Sequence, residues 1–171
     1  MSLLDRRKRV GVLSTLLASF FLGWAPILGK MAYAGGATPF TVVALRTAVA
    51  ALLLWFIFLL LWRGEIPIGW KALLGCLGVG IVNGLGSLLY YSSLSRLNAS
   101  RAALLNTLYP MWVVLFLFAA GQPLTMLTLM RLALSMTGTY LLTRAGPGEL
   151  DWLGVTLMIA SAAMYGWHLV L

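Results

Sequence analysis

Charged residues are scarce in this chain, and acidic residues are the scarcest. Only 9% of the 171 residues are charged, and Asp and Glu together number 4. Water-soluble domains carry about 25% charged residues. Hydrophobic residues make up 61% of the chain, and the mean hydropathy is +0.96. The composition therefore excludes an ordinary water-soluble domain and predicts an all-α integral membrane protein.

Residues that support catalysis or metal binding are also few. The chain has one cysteine, Cys76, and one histidine, His168, so no disulfide can form within it and no Cys/His cluster is available for a metal. The sequence contains no phosphate-binding loop ending in Lys-Ser/Thr, no His-Glu-x-x-His and no nucleophile elbow. We therefore expect no enzymatic activity, no metal and no cofactor, and we interpret Cys76 as a small packing residue.

Basic residues are in excess, and their positions suggest a role in membrane topology. Lys and Arg number 12, and the formal net charge is +8. They lie beside or within hydrophobic runs, so we interpret them by the positive-inside rule and expect no nucleic-acid partner. The cluster Arg6–Arg9 precedes the first apolar run. It predicts a multi-pass protein of the cell (inner) membrane with a cytoplasmic N-terminus.

About six apolar runs are long enough to cross a bilayer, which takes about 20 helical residues. Turn-forming or polar residues separate the runs, and the segment 92–98, rich in serine, is predicted as a connector outside the third span. The predicted spans are approximately 10–33, 40–62, 70–91, 99–120, 124–143 and 152–171.

A short motif that occurs twice predicts that the chain contains structural repeats. Ala18-Ser19 precedes Gly23-Trp24 in the first span, and Ala160-Ser161 precedes Gly166-Trp167 in the sixth. The two helices lie five spans apart, so they are expected to run in opposite directions. The predicted division is a basic N-terminus (1–9), a five-helix repeat (10–143), a loop (144–151) and the first helix of an incomplete second repeat (152–171).

Basic side chains inside the spans are the first candidates for a binding site, because an ionised group at the bilayer centre costs about 2.5–3.5 kcal/mol. Lys30 and Arg46 flank the turn between the first two spans, so both can face one cavity in the outer half of the membrane. Snorkelling to the headgroups remains the alternative for both and is the expected behaviour of Arg131. Arg96 and Arg101 flank a connector and are expected to be solvated.

Uncharged polar and aromatic residues extend this candidate site. Asn83, near the middle of the third span, fits either an interhelical hydrogen bond or a substrate contact. His168 fits an interhelical hydrogen bond, proton handling, or the ligation of a pigment or haem. Pro26 and Pro110 are expected to kink their helices. The candidate substrate-binding residues are Trp24, Lys30, Arg46, Asn83, Tyr90, Asn106 and Tyr109.

Together, these motifs resemble the drug/metabolite transporter superfamily, in particular its EamA-like branch. The positions that carry the resemblance are Gly23-Trp24 with Lys30, Pro39 with Arg46, Leu88–Ala103, Pro110, and Gly121–Thr125. Gln122 stands where the family usually has Glu, and Arg131 lies in a helix that is usually uncharged. The resemblance implies ten helices in two inverted five-helix repeats.

The resemblance also implies export of small organic metabolites, amino acids or drugs by alternating access. Lys30 and Arg46 favour an anionic or zwitterionic substrate. One alternative is a non-transporting accessory subunit of a respiratory or photosynthetic membrane complex that retains the fold. Another is a lipid or undecaprenyl-phosphate-linked flippase of the same superfamily, in which the outer basic residues would bind a phosphate. The expected partners are the lipid bilayer, a small-molecule substrate, and either a second copy of the chain or a larger membrane complex.

Overall fold

The computed structural model describes residues 3–61, 69–145 and 151–171, with side chains described for 8–61, 69–141 and 151–171. Within these ranges every regular element is an α-helix. The helices are α1 (Leu3–Ala34), α2 (Pro39–Leu61), α3 (Trp70–Arg96), α4 (Ala99–Asn106), α5 (Tyr109–Ala119), α6 (Met126–Ala145) and α7 (Trp152–Val170). The side chains of Arg6 and Arg7 lie outside the described part, as do residues 146–150 of the predicted loop.

Five helical segments in the described part are long and apolar enough to cross a membrane. They comprise α1 from Lys8 onward, α2, α3, α4 together with α5, and α7. The prediction of an all-α membrane protein is confirmed. The predicted fifth span is the helix α6, of 20 residues. Arg131 and several hydroxyl residues lower its hydropathy, and it is not one of the five.

Two glycines close the short connections between helices. Gly36 and Gly121 adopt φ values of 86° and 89°, in the left-handed region that residues with a Cβ atom rarely enter. The N–H of Ala37 donates to the carbonyl of Ala32 at 3.0 Å, and that of Gln122 donates to the carbonyl of Leu117 at 3.0 Å. These are Schellman-type helix ends, and they set the turns after α1 and α5.

The predicted fourth span consists of two helices. Asn98 caps α4, because its Oδ1 accepts the N–H of Arg101 at 2.8 Å. α4 ends at Asn106, and Pro110 occupies the first turn of α5, where its missing N–H costs nothing. The expected kink at Pro110 is therefore a break between helices. Pro26, by contrast, lies inside the uninterrupted helix α1.

α3 and α7 are held together by hydroxyl groups and glycines. The Ser93 hydroxyl donates to the Gly154 carbonyl at 2.6 Å, and the Ser161 hydroxyl donates to the Gly86 carbonyl at 2.8 Å. Both bonds are buried. Glycine and serine let helix backbones approach closely in a membrane, where lipid provides no hydrophobic drive for association. α7 is consequently fixed along the length of α3.

This interface corrects two expectations from the sequence. α3 continues through the predicted connector as far as Arg96, because Ser93 faces α7 and finds a buried acceptor there. Arg101 is only 6% exposed, so its predicted solvation is wrong. The cap at Asn98 starts α4 in a register that places Arg101 beside the buried Ala102, with Leu105 one turn further on. Arg96 is exposed and pairs with Asp151 at 3.0 Å.

The hydrophobic core lies where α3, α4 and α7 meet. In contrast, no residue is buried in the most apolar 18-residue stretch of α1 or in that of α2. α7 is the most enclosed of the membrane-length helices, because 33% of the residues in its most apolar 18-residue stretch are buried. The buried hydrophobic residues are Tyr91, Leu94, Leu97, Ala102, Leu105, Val155, Met158 and Ala162.

α7 also packs on α5, again through a glycine. A Cβ atom at Gly166 would lie 2.8 Å from Trp112 Cβ and 3.2 Å from the Tyr109 carbonyl oxygen. Neither neighbour can move aside without shifting α5. One turn along α5, the ring of Phe116 contacts Trp167 edge-on at 5.1 Å. The α5–α7 contact therefore requires a residue without a side chain at position 166.

We predict that Gly166→Ala destabilises the protein by about 1–3 kcal/mol, the usual cost of overpacking a close contact. The matched control is Gly78→Ala, because a Cβ atom at Gly78 would meet nothing within 4 Å. Thermal unfolding in detergent measures both variants. Equal unfolding temperatures for the two would contradict the close α5–α7 contact.

Asp151 links the start of α7 to the end of α3. Its carboxylate accepts the Gly154 N–H at 3.0 Å and the Arg96 Nη1–H at 3.0 Å. These hydrogen bonds, the one from Gly154 first, lower the pKa of Asp151 below its ordinary value of 3.8. Because the folded-state pKa is lowered, the ionised carboxylate stabilises the fold above the unfolded-state pKa, and this contribution disappears as the pH falls through the folded-state pKa.

We therefore predict that Asp151→Ala lowers the unfolding temperature at neutral pH, and that its difference from the parent protein shrinks as the pH falls below 3.8. Asp151→Asn should be intermediate, because Asn can still cap a helix but cannot pair with Arg96. The measurement is the unfolding temperature of all three proteins against pH. A difference independent of pH would exclude the ionised carboxylate as its cause.

Candidate functional site

The Arg46–Tyr91 contact is the centre of the first candidate site. Arg46 Nη1 donates to the Tyr91 hydroxyl at 3.1 Å, and its guanidinium carbon lies 5.2 Å from the centroid of the same ring. The guanidinium thus donates a hydrogen bond to Tyr91 and is also attracted by the face of its aromatic ring, an interaction that acts within about 6 Å. These contacts fix a cation of α2 against α3.

α1 joins this site through its last turns. The Tyr33 hydroxyl donates to the Tyr91 carbonyl at 2.7 Å. Gly29 permits the approach, because a Cβ atom there would lie 2.9 Å from Leu94 Cδ2 and 3.1 Å from Tyr91 Cε1. Lys30, which is half-buried, precedes Tyr33 by one helical turn. α1, α2 and α3 therefore meet at Tyr91.

We call Lys30, Tyr33, Arg46, Tyr90 and Tyr91 the arginine–tyrosine cluster. Tyr90 contacts Tyr91 edge-on, with ring centroids 5.2 Å apart. Arg46 remains exposed despite its contact with Tyr91, and a guanidinium carries five N–H donors. The cluster can thus offer further donors, and a positive charge, to a bound molecule.

The second candidate site is a cavity of about 510 Å³ that is wide open to the surface. It lies along α3 and is bordered by one residue of α7, and we call it the α3–α7 cavity. Asn83 and His168 both line it, so the structure brings together two of the residues that the sequence singled out. Small residues provide the space. The lining residues are Ala72, Gly75, Cys76, Val79, Gly80, Asn83 and His168.

His168, a lining residue of this cavity, also has a buried ring nitrogen, Nδ1, without a hydrogen-bond partner among the described residues. Its ring stacks on Tyr165 at 6.3 Å, with 28° between the planes. A buried polar group without a partner is costly, so a bound water or ligand at Nδ1 would remove that cost. The Asn83 side chain and the His168 ring are thus the side-chain hydrogen-bonding groups that line this cavity.

Of the three other candidate residues, two contact aromatic rings outside the arginine–tyrosine cluster. Trp24 is 49% exposed and packs on Phe20 within α1, with the ring centroids 5.9 Å apart. Tyr109 contacts Tyr165 of α7 edge-on at 5.1 Å. Asn106, half-buried, is the last residue of α4. A single cleft formed by Lys30, Arg46, Tyr90, Asn106 and Tyr109 stays a prediction.

Sequence reasoning missed the residue that Arg46 contacts. Tyr90 and Tyr91 are adjacent, and both have apolar residues and serines nearby in the sequence, which therefore gives no reason to choose Tyr91. Tyr33 could have been found, because it follows Lys30 by one helical turn and thus shares its face. Tyr165 was not singled out either, although it precedes His168 by the same interval.

Comparison with known proteins supplies one positive finding. The family model for the EamA-like transporter family matches residues 9–144, which is well over half of the 171 residues. Comparison with curated proteins and with solved structures gives no match. The matched segment contains the arginine–tyrosine cluster and every described lining residue of the α3–α7 cavity except His168.

We predict that N-ethylmaleimide labels Cys76 slowly but measurably, because the reaction requires a thiolate and therefore water in the α3–α7 cavity. His168→Trp should slow labelling by filling the cavity. Leu169→Trp is the matched control, because Leu169 is 51% exposed and does not line the cavity. Mass spectrometry gives the labelling rates without a cysteine background, since Cys76 is the only cysteine. Equal rates in the two variants would contradict the cavity.

Proposed function

This chain belongs to the EamA-like transporter family, and from this premise we propose that it exports small organic metabolites, amino acids or drugs by alternating access. It is a multi-pass membrane protein of a family of small-molecule transporters. We propose further that the membrane is the cell (inner) membrane, that the N-terminus is cytoplasmic, and that the arginine–tyrosine cluster lies in the outer half. We also propose that the protein has no enzymatic activity.

The observation that carries the substrate proposal is the Arg46–Tyr91 contact. A guanidinium is permanently charged in a protein, and the structure describes one acidic side chain, Asp151, which pairs with Arg96. No described carboxylate neutralises Arg46. Its exposed N–H groups suit a carboxylate, which they can bind in bidentate fashion. An anionic or zwitterionic substrate fits this arrangement, and Lys30 adds a second positive charge.

The face of α3 that carries Asn83 connects the two candidate sites. Asn83 and Tyr90 are seven residues apart and so lie on one helix face, about 10 Å apart along the axis at 1.5 Å per residue. Ser87, half-buried, lies between them on the same face. We propose that a substrate moves along this face between Tyr90 and the α3–α7 cavity, where Asn83 and His168 provide hydrogen bonds.

The exposed faces of α1 and α2 favour a second candidate function. No residue in the most apolar 18-residue stretch of either helix is buried. Such faces fit contact with lipid, and they equally fit contact with another membrane subunit. An accessory subunit that retains the fold within a respiratory or photosynthetic complex is therefore the alternative. Native purification separates the two, because a subunit should co-purify with its complex and a transporter should purify alone or as a small oligomer.

We predict that Arg46→Gln lowers the transport of anionic probes about tenfold, because hydrogen bonds to charged groups are worth about 1.5–3 kcal/mol. The assay measures uptake of radiolabelled glutamate, succinate, serine and lysine by proteoliposomes. Arg46→Lys should recover part of the rate, because it keeps the charge but not the planar fork of donors. Lysine uptake, if present, should be unaffected.

The matched control is Lys71→Gln, which removes one exposed cation at the start of α3 without touching the arginine–tyrosine cluster. Anion uptake that depends on the protein but is equal in Arg46→Gln and the parent would overturn the role of Arg46. Absence of uptake for every probe, together with co-purification in a large complex, would favour the accessory subunit.

A further inference from the structure

Another cavity, mostly apolar but with several polar lining residues, lies between α5 and α6. It shares no lining residue with the arginine–tyrosine cluster. Its volume is about 290 Å³. One group of lining residues is polar: Thr107, Thr128, Arg131 and Ser135. The remaining lining residues are apolar and include Met111 and Met136. We call it the α5–α6 cavity, and nothing in the proposed transport function requires it.

Arg131 gives this cavity a positive charge near the start of α6. The helix begins at Met126, and side chains on a helix lean toward its N-terminus. The guanidinium is thus biased toward the connection between α5 and α6, where a membrane helix reaches the interface. Arg131 is exposed, and the acidic side chain that the structure describes, Asp151, pairs with Arg96. Its charge is therefore available to an anion.

Two hydroxyl groups share the helix face of Arg131. Thr128 precedes Arg131 by three residues and Ser135 follows it by four, so the three form one stripe. The Thr128 and Thr125 hydroxyls lie 2.8 Å apart, and either can be the donor. When Thr125 donates, the Thr128 proton is free for a phosphate oxygen. The first N–H groups of α6 and the helix dipole also favour an anion at this end.

The apolar part of the cavity has the character of an acyl-chain site. Met111 on α5 and Met136 on α6 carry flexible, polarisable side chains that adapt to irregular ligands. From Thr128 through Arg131 to Ser135, the lining runs from the interface end of α6 toward its middle. A phospholipid presents phosphate, ester and acyl groups in the same order.

We propose that the α5–α6 cavity binds an anionic phospholipid. The phosphate lies on Arg131 and Thr128, the Ser135 hydroxyl donates to an ester carbonyl of the glycerol unit, and one acyl chain packs on Met111 and Met136. Basic pockets between membrane helices are known to hold lipid headgroups. The proposed ligand is a phospholipid of the bilayer, and binding of soluble phosphate in its place would contradict the proposal.

Native mass spectrometry of the full chain tests this proposal. The detergent-solubilised protein is incubated with equal amounts of phosphatidylglycerol and phosphatidylcholine, and the retained lipid is counted. We expect the parent protein to retain phosphatidylglycerol preferentially. Arg131→Gln should reduce this retention about tenfold, and Ser135→Ala about threefold, from the usual values for charged and neutral hydrogen bonds. Arg131→Lys should restore part of the preference.

Control experiments distinguish a specific lipid-binding site from general attraction between the basic protein and anionic lipid. Lys71→Gln removes one exposed cation without touching the α5–α6 cavity and should leave retention unchanged. Retention that is equal in Arg131→Gln and the parent, or that falls equally in Lys71→Gln, overturns the proposal. Displacement of phosphatidylglycerol by millimolar inorganic phosphate also overturns it, in favour of a phosphate site. Should Arg131→Gln fail to fold, unchanged retention in Ser135→Ala would contradict the proposed ester contact and with it the lipid pose.

Discussion

The reciprocal exchange of hydroxyl–carbonyl hydrogen bonds between α3 and α7 is the interaction on which the rest of the structure depends. Ser93 donates to Gly154, and Ser161 donates to Gly86. Each acceptor is a glycine, which lets the opposite helix come near enough for a serine side chain to reach the backbone. Lipid supplies no hydrophobic drive for such contacts, so close packing and hydrogen bonds must hold membrane helices together.

The candidate sites depend on this exchange because α3 contacts different partners with different faces. Gly86 and Ser93, seven residues apart, face α7. Tyr91 and Leu94 pack toward α1, as the approach of Gly29 shows. Asn83 lies on the cavity side. The register fixed by α7 therefore also sets the positions of Tyr91 relative to Arg46 and of Asn83 relative to His168.

The sequence was sufficient for the features that depend on local chemistry. The apolar runs indicated the spans, and Gly36, Gly121 and Pro110 lie where helices end or begin. Features that depend on a distant partner could not be predicted. Ser93 finds its acceptor 61 residues away, so the serines of 92–98 looked like a connector. Arg101 looked solvated for the same reason, because its burial depends on the helices that pack around α4.

The same distinction between local and distant features applies to the candidate sites. Arg46 stood out because an ionised group within a span needs an explanation, whichever helix it contacts. The choice between Tyr90 and Tyr91 required the relative rotation of α2 and α3, which is set by packing between the helices and cannot be read from either segment alone. The pairing of Asn83 with His168 in one cavity likewise required the antiparallel alignment of α3 and α7.

The distance in sequence between Ser93 and Gly154 also has a consequence for biosynthesis. The ribosome makes α3 well before α7, so α3 enters the bilayer while the partner hydroxyl of Ser161 and the acceptor carbonyl of Gly154 do not yet exist. During that interval Ser93 faces lipid or the insertion machinery. The α3–α7 contact can therefore form only after α7 has been made, and until then the hydroxyl of Ser93 lacks the acceptor that it has in the finished fold.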